Sequence, residues 1–102
     1  MPGSIHRNLV VKFFGQPDLT EGSVNEPRER LEHGIRFNEK WTYTHPRHDP
    51  AAAVERIVYW RRYDFLGSMF RTSAGGDWHQ DDALPEVLAK IGHDDVYVPS
   101  AI

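Results

Sequence analysis

The amino-acid sequence predicts an α+β fold, a two-layer sandwich in which one mainly antiparallel sheet of about four to five strands carries two short helices on one face. Three segments carry this prediction. Residues 35–44 alternate apolar and polar side chains, residues 54–72 are dense in aromatic and β-branched side chains, and residues 83–91 repeat apolar side chains at helical spacing. We expect one domain over residues 1–102, and the order of its elements leaves a ferredoxin-like topology open.

The first half of the chain is predicted to form a strand, a helix and a second strand. Residues 5–14 alternate enough apolar side chains for a strand. Ser23 and Glu26 have the spacing of a capping box, which predicts a short helix over residues 23–33. In the alternating segment that follows, only Glu39 falls on the apolar side, where a bulge or a sheet edge would accommodate it.

The segment over residues 54–72 allows two interpretations. Flanking turn residues would suit a single helix from residue 50 to residue 66, but projection places Arg61 inside its apolar stripe and leaves apolar side chains nearly all round. Isoleucine, valine, tyrosine, tryptophan and phenylalanine suit strands better. We therefore predict two strands, over residues 54–62 and 65–72.

The C-terminal third is predicted to add a short strand, a helix and an edge strand. Residues 78–80 follow a glycine-rich turn and suit a return strand. Asp82 is placed to cap a helix over residues 83–91, whose apolar side chains recur three and four positions apart. Residues 96–98 suit a last strand before a proline.

Composition narrows the class of protein. The 102 residues include no cysteine, which excludes disulfides and thiolate zinc sites and fits a reducing compartment. An apolar fraction of 39% with a net charge of -3 is typical of a globular chain. The N-terminal residues lack the apolar core of a signal peptide, and no run approaches the roughly 18 apolar residues of a membrane span. We expect a soluble, cytoplasmic protein with no membrane partner.

Both faces of the two predicted central strands are apolar. Two short helices have too little apolar surface to cover both faces, and an uncovered apolar patch commonly marks an interface. We therefore expect a noncatalytic binding module that forms a homodimer through this face and binds a small anionic or aromatic ligand. The residues assigned to that ligand are aromatic and basic: Trp41, Tyr59, Trp60, Arg61 and Arg62.

A second hypothesis is a small metal-dependent enzyme. His45, His48 and Asp49 lie in one proline-bounded loop, and His79 would complete a set of nitrogen and oxygen ligands for zinc or a similar ion. Zinc ligands more often lie in pairs on a helix or a tight knuckle, so surface and turn-capping roles compete for these side chains. No other cofactor is expected.

A third hypothesis is single-stranded nucleic-acid binding. Basic residues interleave with aromatic ones along two predicted strands, as on sheets that stack bases and neutralise phosphates. An isoelectric point of about 6.0 and an acidic C-terminal third oppose that function. Nucleic-acid binding is therefore the least favoured of the three hypotheses.

Overall fold

The structure is a computed structural model, and it describes residues 2–46 and 49–90, without the side chains of residues 2–5. Within these residues it contains two helices, a five-stranded sheet and a separate two-stranded hairpin. The elements in chain order are α1 (Pro2–Phe14), β1 (Leu19–Gly22), β2 (Arg30–Glu32), β3 (Ile35–Phe37), β4 (Glu39–Tyr43), β5 (Glu55–Arg61), β6 (Asp64–Arg71), β7 (His79–Gln80) and α2 (83–90). No helix in the described part of the chain is long and apolar enough to cross a membrane.

The five-stranded sheet has the order β1-β4-β5-β6-β7, and every neighbouring pair is antiparallel. Val10 of α1 and Leu84 of α2 pack against Trp41, Val58 and Trp60, so both helices cover the same face. The predicted α+β sandwich is confirmed. A ferredoxin-like topology is not observed, because its βαβ units join parallel strands, whereas the described strands β4 to β7 form an antiparallel meander.

The chain begins with helix α1, so the strand predicted over residues 5–14 is wrong. Val10 and Phe14 are four residues apart and share one helical face, although their spacing also suits one side of a strand. Val10 has no exposed surface and packs among the tryptophans of the sheet. Burial of this face decides for the helix, because tertiary packing outweighs the weak strand preference of valine and phenylalanine.

The helix predicted over residues 23–33 is also wrong. This segment is an irregular connection that leads into β2, and β2 pairs with β3 as a hairpin. The turn between them uses His33 and Gly34, both in the left-handed region with φ of 51° and 76°. The segment holds too few apolar side chains to bury a helical face, so its capping-box spacing does not start a helix.

The two predicted central strands are confirmed as β5 and β6, but their faces differ from simple alternation. Trp60 pairs with Phe65 and Tyr59 pairs with Gly67, so Leu66 is an extra residue in a β-bulge. Phe65 therefore packs on the helix side with Trp60, whereas Leu66 packs on the opposite side with Tyr59.

The opposite face of the sheet is covered by the β2-β3 hairpin. Ile35 and Phe37 of β3 pack against Ile57, Tyr59 and the rest of a second core cluster. The hydroxyl of Tyr59 donates to Glu32 Oε1 of β2 at 2.9 Å. The expectation that this face lacks a cover within the chain is corrected, because the segment predicted as a helix supplies that cover as a hairpin.

The alternating segment is extended as predicted, but it is divided at Asn38. The backbone N–H of Asn38 donates to the carbonyl of Trp60 at 3.1 Å. Phe37, before the division, packs in the hairpin-side core, whereas Trp41, after it, packs in the helix-side core. One predicted strand therefore contributes side chains to both core clusters, on the two sides of the sheet.

The C-terminal predictions are confirmed within the described residues. β7 is the return strand, and α2 is the predicted helix. Its cap is Asp81 rather than Asp82, since Oδ1 of Asp81 accepts the first two backbone N–H groups of α2 at 3.0 and 3.4 Å. The strand predicted over residues 96–98 lies outside the described residues.

Candidate functional site

A buried arginine links the start of β5 to the segment before α2. Arg56 has no exposed surface. Its Nε and Nη2 donate to the two carboxylate oxygens of Asp49 at 2.6 and 2.8 Å. Its Nη1 donates to Ser68 Oγ at 2.9 Å and to the carboxylate of Asp81. The network fastens the connection before β5 and the start of α2 to the sheet.

The charges of this network do not balance. Burial disfavours the charge on Arg56, but the hydrogen bonds and charges of Asp49 and Asp81 outweigh burial, so the pKa of the guanidinium is raised. One permanent positive charge therefore faces two carboxylates, whose side chains are themselves almost fully buried. The cluster carries an excess of negative charge inside the protein.

A cavity of about 640 Å³ opens beside Arg56. It lies between the last turn of α1, the turn before β5, the end of β6 and the first two turns of α2. Apolar side chains form most of its wall: Phe13, Phe14, Pro50, Ala51, Phe70, Ala83, Leu84 and Val87. Its polar lining residues are Arg56, Gln80, Asp81 and Asp82. Phe13 and Val87 are 39% and 40% exposed, so apolar side chains reach the surface beside the cavity.

Aromatic rings flank the buried guanidinium. The Cζ atom of Arg56 lies 4.6 Å from the ring centroid of Phe14 and 5.4 Å from that of Phe70. Ring faces attract cations, and this attraction is stronger where water is excluded. The cavity thus combines an apolar wall, aromatic rings and a polar cluster, which is the usual composition of a small-molecule site.

The five residues predicted to bind a ligand do not form one surface. Tyr59 and Trp60 have no exposed surface and lie on opposite faces of β5. Trp41 is buried against Trp60, with ring centroids 4.9 Å apart. Arg61 and Arg62, at the end of β5, donate to backbone carbonyls of other segments. The aromatic members are core side chains, so the candidate site lies at the Arg56 cavity instead.

The predicted metal ligands do not converge in the described part of the chain. Asp49 uses both carboxylate oxygens to bind Arg56, and His45 and His79 are exposed. His48 lies outside the described residues. No group of three or more histidine and carboxylate side chains that would hold a metal is found among the described residues. The zinc hypothesis therefore loses Asp49 as an available ligand.

A second arginine secures α1 to the sheet. Arg7 Nη1 and Nη2 donate to the two carboxylate oxygens of Glu39 at 2.8 and 3.0 Å. Glu39 also accepts the indole N–H of Trp41 at 2.8 Å. The guanidinium lies 5.0 and 5.2 Å from the ring centroids of Trp41 and Trp60. This ion pair, rather than a bulge or an edge, explains a glutamate on the apolar side of β4.

One signal for the Arg56 site is present in the sequence, although the predicted ligand residues did not include this arginine. Arg56 shares strand parity with Val58 and Trp60, and a charge on the inward side of a buried strand requires a partner. Its partners lie 7 and 25 positions away, and no spacing rule identifies them. The role of Arg7 was not predicted, because its segment was interpreted as a strand.

Comparison of the chain with protein-family models, with curated proteins and with solved structures found no match. The function is therefore inferred from the cavity and the charged network beside it.

Proposed function

We propose that the protein is a noncatalytic binding module that holds one small, mainly apolar or aromatic ligand in the cavity between α1, α2 and β6. The observation that carries this proposal is the cavity, whose volume of about 640 Å³ falls within the range of about 300–1,000 Å³ typical of small-molecule sites. Its walls are mostly apolar, and its polar residues cluster on one part of the lining.

The partners of the buried carboxylates favour binding over catalysis. Both oxygens of Asp49 accept from Arg56. In Asp81, one oxygen accepts from Arg56 and the other accepts from the amides of α2. A general base needs an oxygen that is within reach of the proton it removes. The oxygens of these carboxylates are instead hydrogen-bonded to Arg56 and to the start of α2, which stabilises the walls of the site.

The proposed site keeps the aromatic part of the expected ligand chemistry but changes its location. Phe13, Phe14 and Phe70 line the cavity, and the rings of Phe14 and Phe70 flank the buried Arg56. Tyr59 and Trp60, which were expected to form a binding surface, are buried in the two core clusters. The ligand is thus proposed to bind between the helices and the sheet.

Titration with an uncharged fluorescent probe, phenylnaphthylamine, tests this function. We expect saturable binding of about one probe per chain, with enhanced emission, because a probe bound against the apolar wall is removed from water. Val87→Trp should abolish most of this binding, since the larger side chain would occupy part of the cavity from its wall.

A matched variant separates the cavity from general surface hydrophobicity. Leu31→Trp adds the same ring on β2, where the native side chain is 63% exposed and is not a lining residue. Its probe binding should equal that of the native protein. The proposal would be refuted if the Val87→Trp variant bound the probe as well as the native protein does, or if the native protein showed no saturable binding.

A further inference from the structure

We infer that the ligand of this cavity is an apolar amine, a molecule with a hydrocarbon or aromatic body and one protonated nitrogen. The inference rests on the proposed function and adds the charge of the ligand to it. Its basis is the electrostatic character of the cavity, which is set by the buried network and by the two helix ends that meet there.

Among the described residues that line the cavity or bind Arg56, carboxylates outnumber basic side chains. Arg56 and Asp81 line it, Asp49 binds Arg56 directly, and Asp82 lines it from an exposed position. These residues together supply three carboxylates and one guanidinium, and two of the carboxylates bind that guanidinium. An incoming carboxylate ligand would meet like charge in a site partly shielded from water, whereas a protonated amine would meet opposite charge.

The two helix ends reinforce this preference. The last two residues of α1, Phe13 and Phe14, line the cavity, and the C-terminal end of a helix carries partial negative charge. The N-terminal end of α2 would favour an anion, but Asp81 already accepts its first two backbone N–H groups. The end that attracts anions is thus occupied by a carboxylate of the protein itself.

The two basic residues adjacent in sequence to lining phenylalanines do not offset this charge. Lys12 lies in the last turn of α1 and is exposed, and Arg71 donates to Glu55 at 2.8 Å; neither is a lining residue. Arg56 is the one basic side chain among the described residues that line the cavity. Its guanidinium donates to two carboxylates and to Ser68. Its positive charge is therefore already compensated before a ligand enters.

The apolar body of the ligand has a matching surface. Phe13, Phe14 and Phe70 present aromatic side chains, and two of these rings already contact one cation, the guanidinium of Arg56. Ring faces and carboxylates together are the groups by which proteins recognise organic ammonium ions. The amine would lie near Asp82, with its hydrocarbon body against the phenylalanines.

Competition against the uncharged probe tests the charge of the ligand in the 102-residue chain. Phenylbutylamine, phenylbutanol and phenylbutanoate share a similar apolar body and differ in their end group. At neutral pH we expect the amine to displace the probe at a concentration at least about tenfold lower than the carboxylate, with the alcohol between them. Added salt should narrow the difference between the two charged ligands.

A pair of neutralising variants identifies the carboxylate that acts. Asp82→Asn should weaken amine binding by about threefold to fivefold, as expected for one partly solvated charge, and should weaken the binding of phenylbutanol by much less. Asp77→Asn removes the same charge from an exposed turn residue outside the cavity lining. It should leave the binding of both the amine and the probe unchanged.

The outcomes separate this inference from the proposed function. Probe binding together with equal or tighter binding of the carboxylate overturns the amine ligand but leaves the pocket function in place. Failure of the probe to bind the native protein overturns both. Equal effects of the Asp77 and Asp82 variants on the amine also overturn the inference.

Discussion

Arg56 is the residue on which the candidate site depends most directly. Replacing it with methionine keeps the length of the side chain but leaves Asp49 and Asp81 as buried charges without a cation. We expect Arg56→Met to lower the free energy of unfolding by roughly 3–5 kcal/mol, the usual cost of removing one partner of a buried ion pair. Urea denaturation followed by tryptophan fluorescence measures this change.

Two further variants test the cause of that loss. Arg56→Met combined with Asp49→Asn should be more stable than Arg56→Met alone, because one uncompensated buried charge is then absent. Arg28→Met changes a side chain that is 88% exposed and should alter the free energy of unfolding by less than about 0.5 kcal/mol. A double variant that is no more stable than Arg56→Met would contradict the electrostatic explanation.

Two buried tyrosines give the fold a defined alkaline limit. Burial raises the pKa of Tyr59, and its hydrogen bond to Glu32 raises it further. Burial also raises the pKa of Tyr43, with a smaller contribution from the charge of Asp18. A folded-state pKa above the unfolded value of about 10 contributes stability that is complete below pH about 10 and is lost as the pH rises further.

Urea unfolding across alkaline pH tests this dependence. The native protein should lose stability steadily above pH about 10. Tyr59→Phe and Tyr43→Phe should each make that decline shallower, although each variant loses a hydrogen bond and starts from a lower stability at neutral pH. Declines that run parallel in all three proteins would show that these phenols do not set the alkaline limit.

Two glycines with the same backbone conformation allow steric contact to be separated from backbone strain. Gly22 and Gly34 have φ of +78° and +76°, but an added Cβ at Gly22 would lie 2.0 Å from the carbonyl oxygen of Asn38, whereas Gly34 has no neighbouring atom within 4 Å. Gly34→Ala should cost about 1 kcal/mol for the left-handed backbone. Gly22→Ala should cost at least about 1 kcal/mol more, and similar losses in urea unfolding would contradict this close approach.

Elements were predictable from the sequence where one period dominated. β5, β6 and α2 follow from alternation and from helical spacing, and their packing agrees with those patterns. α1 was not predictable in the same way, because its apolar positions suit both periods and its burial depends on a sheet formed later in the chain. The β2-β3 hairpin was missed because the capping-box spacing at Ser23 indicates a helix that would include β2 and end at Gly34.

The candidate site was less predictable than the fold. Sequence alone suggested an arginine beside aromatic rings, but it assigned the side chains that now form the two cores. Those cores lie on opposite faces of the sheet. The bulge at Leu66 and the division at Asn38 each change the face to which the following side chains belong. Asp49 and Asp81 meet at Arg56 only through tertiary structure, so no local pattern indicates the cavity.

Self-association of the whole molecule stays a prediction, although its original reason has changed. The sheet face assigned to a partner copy is covered by the hairpin, and the large apolar residues most exposed among those described are Leu31 and Leu19, at 63% and 53%. If copies pair, we expect these side chains to lie in the interface. Sedimentation velocity should then show a dimer at micromolar concentration, and Leu31→Gln should shift it toward the monomer.

The control for this measurement is Arg28→Gln, which changes an exposed residue of the connection before β2 without removing apolar surface. It should sediment like the native protein. A native protein that sediments as a monomer at micromolar concentration would contradict the prediction.

The attachment of α1 by Arg7 has a consequence for the order in which the chain folds. Arg7 binds Glu39, 32 positions away, and the carbonyl of Arg62, 55 positions away, so the helix cannot dock until β4 and β5 exist. Contacts between adjacent strands of the meander close much shorter loops and should form earlier. During synthesis, α1 would thus leave the ribosome before β4 and β5 but dock after they form.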